Sequence, residues 1–276
     1  MVFDAIKNKA RYYLEKAENI HPENDALYSL KGAIYLDKKN YRKAIHRFKQ
    51  AYRINEKNDY YVYDLVIALI LSEEYGETLK YWAELPNNDF KRNAINEVIR
   101  HISLYPEKFI NYALTRIPND AIIVEFHSEK LYHNREFESA LRSYISLKNI
   151  VPDDSFINIR VASALMMLDR HEEALHEVKH IEFTIPDDQL LHQLTLAAIH
   201  KSLGNKSEAE AALANAKSIN AIEHNTVDSY LYHRIVGNDD KCKEIKKTID
   251  DGTRLVSYFK AETEFILNPF GTSYYS

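Results

Sequence analysis

Prolines at positions 118, 152 and 186 stand 34 residues apart, each inside a near-copy of one tetrapeptide: Ile117-Pro118-Asn119-Asp120, Val151-Pro152-Asp153-Asp154 and Ile185-Pro186-Asp187-Asp188. Other positions keep the same step, Leu131 with Leu165, Ala140 with Ala174 and Leu147 with Ile181. Turn chemistry, small residues and apolar residues in one register mark a stacked array of a single supersecondary unit. Composition agrees. The 276 residues include 6 Gly and 7 Pro, against an average usage of roughly 12% for the two together. That is too few for the many corners of a sandwich, a barrel or a doubly wound sheet.

Each unit reads as two helices, so the expected fold class is all-α. The Pro ends one helix, because it lacks the amide that the next turn needs, and the Asp or Asn after it caps the amides of the following helix. Ile157, Val161, Leu165 and Leu168 then recur at helical spacing. A polar break at Asp169-Arg170-His171 precedes a second amphipathic stretch through Ala174, Leu175, Val178 and Ile181. Alanines at fixed sites let the two helices of a pair approach closely.

In these features the chain resembles the tetratricopeptide repeat family. The best single match is residues 25–58, where Tyr28, Gly32, Tyr35, Tyr41, Ala44, Phe48 and Ala51 follow that family's alternation of large and small positions. The units it implies are about 5–24, 25–58, 59–86, 87–120, 121–154, 155–188 and 190–223. The unit at 59–86 is short and carries Thr78 and Trp82 at two signature sites, and the last unit is one residue out of step. Ser128 and Ala162 stand at the close-approach site of their units. The resemblance implies a right-handed α-α superhelical solenoid with terminal capping helices. Those helices are expected at 2–20 and, within a C-terminal region of residues 224–276, at 253–267, the latter alternatively a docking helix.

The same resemblance implies a scaffold that binds a peptide or helix of another protein in a groove lined by the first helix of each unit. Carried over position by position, the lining is Tyr60, Tyr63, Ile67, Ile70, Phe126, Phe156, Ile159, Arg160 and Met166. Members that clamp a peptide's terminal carboxylate use Lys, Asn and Arg there; this chain has Ser29, Ala33, Asp64 and Glu125 instead. The lining is aromatic and aliphatic with a few acids. It suits an extended segment or amphipathic helix with apolar anchors and a Lys or Arg. Two readings stand at this point: the groove is open to a partner, or the chain fills it from within.

Net charge is −5, too mild for bulk attraction to nucleic acid or anionic membrane. Locally, Lys39, Arg42, Lys43, Arg47, Lys49 and Arg53 form a basic stripe. It is read as a solvated outer face, as a polyanion-binding surface in an alternative nucleic-acid-binding function, or as one end of a head-to-tail self-association.

Catalysis, cofactors and metals are not expected. The segment His171-Glu172-Glu173-Ala174-Leu175-His176 sets its histidines five apart, where a zinc pair on one helix face needs four. His176 and His180 have that spacing and would need a third ligand to bind a metal; they read as a solvated pair on the outer face of the second helix. Cys242, the one cysteine, lies beside Lys241 and Lys243 and reads as an ordinary small helical residue or as a thiol of lowered pKa. Residues 1–20 carry charges throughout and no apolar stretch of signal-peptide length, so a cytoplasmic protein is the expectation.

Overall fold

Six of the inter-helix corners close in the same way, and five of them keep step with the repeat. A residue with positive φ follows the first helix of a pair: Lys39, Glu73, Arg135, Asp169, Gly204 and Gly237. The amide just after it bonds back to the carbonyl five residues earlier, as in Asn40 to Tyr35 at 2.9 Å, Glu136 to Leu131 at 2.9 Å and Arg170 to Leu165 at 3.0 Å. This satisfies the orphan carbonyls at a helix end. The next helix starts within two residues.

The structure, a computed structural model, describes residues 13–14, 16–17, 19–219 and 226–252. Among the described residues there are helices and no strands. The chain divides into two compact units, Met1–Arg116 and Ile117–Ser276. The first holds α1 (Asp25–Asp37), α2 (Tyr41–Ile54), α3 (Asp59–Leu71), α4 (Tyr75–Trp82), α5 (Asn88–Ile102) and α6 (Glu107–Arg116). The second holds α7 (Ala121–His133), α8 (Phe137–Ile150), α9 (Ser155–Met167), α10 (His171–Val178), α11 (Pro186–Ser202), α12 (Lys206–Ser218), α13 (Thr226–Val236) and α14 (Asp239–Gly252). The helix expected at 253–267 and the Asn268-Pro269-Phe270 tail lie outside the described residues, as does most of the helix expected at 2–20.

In the first unit the first helices of successive pairs, α1, α3 and α5, adjoin in one layer. Their second helices form the other: α4 packs on α6, and α2 meets α4 through Lys49–Glu77 at 2.7 Å and the edge-on rings of Tyr52 and Tyr81. In the second unit α9 packs on α11 and α11 on α13 in the same manner. A hairpin so built cannot cover its own apolar face, and neighbour contacts supply the core.

Helix starts follow the sequence. Asn24, Asn40, Asn58, Asn87, Asp120 and Asp154 each accept an amide of the first turn with the side chain. The third Pro-Asp tetrapeptide behaves differently. α10 ends at Val178, and Pro186 begins α11 instead of stopping a helix. Its ring fits the first turn, where no amide is required.

The departures at signature sites are absorbed locally. A Cβ on Gly32 would fall 2.5 Å from the Phe48 ring, so only glycine lets α1 and α2 close there. Ser128 replaces it in α7, fully buried with its hydroxyl 2.7 Å from the Val124 carbonyl and 2.7 Å from the Ser143 hydroxyl. Thr78 buries its hydroxyl by donating to the Glu74 carbonyl at 3.0 Å. Trp82 fills the larger volume against Phe109, ring centroids 5.5 Å apart.

Candidate functional site

α3 reads Asp-Tyr-Tyr-Val-Tyr-Asp-Leu-Val-Ile-Ala-Leu-Ile-Leu, apolar nearly all round after its first two turns, and a helix of that kind is buried on every side. Leu65, Val66, Ala68 and Leu69 are wholly withdrawn from water, and Ile67 and Ile70 go with them. α9 behaves alike, burying Ile159, Arg160 and Met166, and α7 buries Phe126. Six of the nine residues expected to line a groove are therefore interior. The other three, Tyr60, Tyr63 and Phe156, are not buried.

In the first unit the exposed remainder forms one face. Tyr60, at the N-terminal end of α3, is 67% exposed. Its ring lies 5.6 Å from Phe90 of α5, and the Tyr63 ring meets the same Phe90 edge-on at 5.9 Å. The Tyr63 hydroxyl donates to the Asn93 carbonyl at 3.4 Å. Burial, with Glu97 nearby, pushes the Tyr63 hydroxyl up to about 12. Beside this aromatic ledge α1 presents a strip of small side chains next to Leu30, which is 49% exposed. Ala26, Ser29 and Ala33 lie along one side of it by helical spacing, with Ala26 and Ala33 exposed.

Between the two sits Asp64. Its carboxylate accepts from the Ser29 hydroxyl at 3.5 Å. Burial pushes its carboxyl up to about 6, and the nearby Glu97 adds to the rise. Glu97 is engaged along its own helix, with Arg100 and with His101 at 3.6 Å.

The second unit places the opposite charge at the matching position. Arg160 of α9 lies 3.1 Å from Glu129 of α7, with its guanidinium 5.1 Å from the centre of the Phe156 ring. Burial raises the Tyr132 and Tyr144 hydroxyls and lowers His133 beside this pair.

The basic stripe is divided too. Lys49 is tied to Glu77; Arg47 donates to Gln50 at 3.0 Å and stacks over Tyr28 at 5.6 Å. Lys43 reaches over Tyr35 at 5.6 Å but stays exposed, as do Lys39, Arg42 and Arg53.

Phe90 and Glu97 were missed in the sequence because Pro106 obscures the repeat at 87–120. The usable signal was the Asn87 cap, whose side chain accepts the Phe90 amide at 3.1 Å and so fixes the start of α5. Cys242 is buried beside Tyr230 and Ile245, and burial raises its thiol, which removes the lowered-pKa reading. No group of three His, Cys, Asp or Glu among the described residues is arranged to hold a metal. No helix there is long and apolar enough to cross a membrane.

No protein-family profile and no curated protein matches this chain. Similar solved structures include a point mutant of MamA, with 16% identity, a TM-score of 0.39, 71% of this chain covered and 97% of the other. Human IFIT1, solved as a dimer with PPP-AAAA, shows 14% identity and a TM-score of 0.43 over 89% of this chain and 68% of its own. YrrB, a TPR protein with an unusual peptide-binding site, shows 13% identity and a TM-score of 0.33 over 60% of this chain and 89% of its own. By its own period, its Gly32–Phe48 approach and its recurring corners, this all-α chain is similar to tetratricopeptide repeat proteins.

Proposed function

We propose that this chain is a protein-interaction scaffold, and that the α1–α3–α5 face of the first unit receives a segment of another protein. The observation that carries this reading is the Tyr60–Phe90–Tyr63 ledge beside a strip of small side chains. Tyr60 keeps 67% of its surface in water although it lies on a helix that is otherwise mostly interior. Aromatic side chains of this kind supply large contact area at small entropic cost, and they anchor interfaces accordingly. Capturing one large apolar side chain there would contribute roughly 1.5–3 kcal/mol. The mechanism is display: the packed hairpins hold the ledge rigid, and the incoming segment bears most of the ordering cost.

The test is affinity purification from native lysate with the full chain and with the Tyr60→Ala/Tyr63→Ala double variant. Proteins retained by the wild type and lost from the variant, with unchanged helical circular dichroism, are the expected result. Identical sets would overturn the reading.

A second reading rests on Lys39, Arg42, Lys43 and Arg53, exposed on and beside α2 with no acidic residue between 38 and 55. That surface suits a polyanion such as nucleic acid. It requires binding to mixed RNA or DNA that weakens steeply as salt rises; salt-independent or absent binding eliminates it.

A further inference from the structure

The two units carry one device at matching repeat positions, complete in the second and incomplete in the first. In the second, Phe156, Arg160 and Glu129 form a stack of ring, guanidinium and carboxylate between successive first helices. A shift of 96 residues separates Phe156 from Tyr60, Arg160 from Asp64 and Glu129 from Ala33. The first unit therefore keeps the ring and holds a carboxylate where the second has its cation. Where the second has the opposing charge, the first has an exposed methyl.

Asp64 is thus an anion on an accessible face. Among the described residues its hydrogen bond comes from the Ser29 hydroxyl, and no Lys, Arg or His pairs with it. The groups that bear on its charge are Ser29 from α1 and Glu97 from α5, and the second of these adds negative charge. A carboxylate drawn from water without a counter-charge is unfavourable, and a cation brought beside it relieves that. The neighbouring Tyr60 ring, 67% exposed, offers a cation a π face. The small Ala33 leaves the approach open.

Resting on the scaffold reading above, we propose that the segment received on this face inserts a Lys or Arg side chain over Ala33, pairing with Asp64 and lying against the Tyr60 ring. Its remaining apolar anchors occupy the aromatic ledge. The specificity is for a basic-apolar peptide, opposite in sign to a carboxylate clamp.

The experiment selects random twelve-residue peptides displayed on phage against the full chain, then measures the selected peptides in solution. The expected peptides carry a Lys or Arg a few residues from an aliphatic or aromatic side chain. Replacing that base by citrulline or norleucine should weaken binding about tenfold on the wild type, and little on Asp64→Asn. Asp64→Asn should be folded at least as stably, which thermal unfolding checks. If selected peptides lose affinity on Tyr60→Ala but are indifferent to their own charge and to Asp64→Asn, the cation site is overturned while the scaffold reading survives. If no selected peptide depends on Tyr60 or Tyr63, both fall.

Discussion

The Glu129 carboxylate lies 3.1 Å from the Arg160 guanidinium, bridging two successive first helices with both side chains almost wholly out of water. Two charges in that setting hold each other in place, yet their attraction mostly offsets the cost of taking them from water. Glu129→Leu is expected to destabilise the second unit by about 3–5 kcal/mol, because it removes a carboxylate 3.1 Å from an interior guanidinium. The double variant Glu129→Leu/Arg160→Met should recover most of that loss. Urea unfolding of the four proteins closes the cycle; a double variant as unstable as the sum of the singles would contradict it.

Asp64 makes stability depend on pH in the direction opposite to a salt-bridged acid. Its folded carboxyl, at about 6, lies above the ordinary 3.8. Folding therefore favours the protonated form. The stabilisation is full below about pH 4 and is lost as pH rises through 6. At neutral pH Asp64→Asn should gain about 1–3 kcal/mol. It should also flatten the fall in melting temperature between pH 4 and 6, measured at constant ionic strength. An unchanged pH profile in the variant would refute the assignment.

Gly32 has no room for a methyl group. Gly32→Ala would set a carbon 2.5 Å from the Phe48 ring, and overpacking of this kind costs about 1–3 kcal/mol. Combining it with Phe48→Leu should restore part of the loss, read by denaturant midpoint. Additive effects would mean that the two side chains do not compete for one space.

The corner residues make the reverse prediction. Arg135 holds φ 64°, a conformation that is strained for any residue with a Cβ. Arg135→Gly should stabilise the protein by about 1 kcal/mol, and Gly204→Ala, at φ 78°, should destabilise it by a similar amount. Thermal unfolding of the two variants gives the signs, and equal signs would exclude the argument.

How far the sequence could be read follows from which interactions are local. The helix pairs, the Asp120 and Asp154 caps and the small residues at Gly32, Ala44, Ala140 and Ala174 were legible because each acts within one repeat. The open surface was not. Family position alone placed Ile67, Phe126, Ile159 and Met166 in a groove. Their burial depends instead on how neighbouring first helices close over them, which no single unit encodes. Tyr60 and Tyr63 are not buried because they stand at the start of α3, before its apolar run begins. Arg160 looked like a ligand contact because its partner Glu129 lies 31 residues earlier, in another repeat. The chain has twelve histidines, and nothing in the sequence gives most of them a role. His192 now has one, since its ring nitrogen bonds to the Val178 carbonyl at 2.7 Å and pins α11 to the end of α10.

At the corners the backbone bonds back across the turn, and the side chains of Lys39, Glu73, Arg135 and Asp169 are all exposed. Each unit carries one cation and one anion at these positions. These are positions where evolution can rewrite surface charge, and with it solubility, while the core stays as it is.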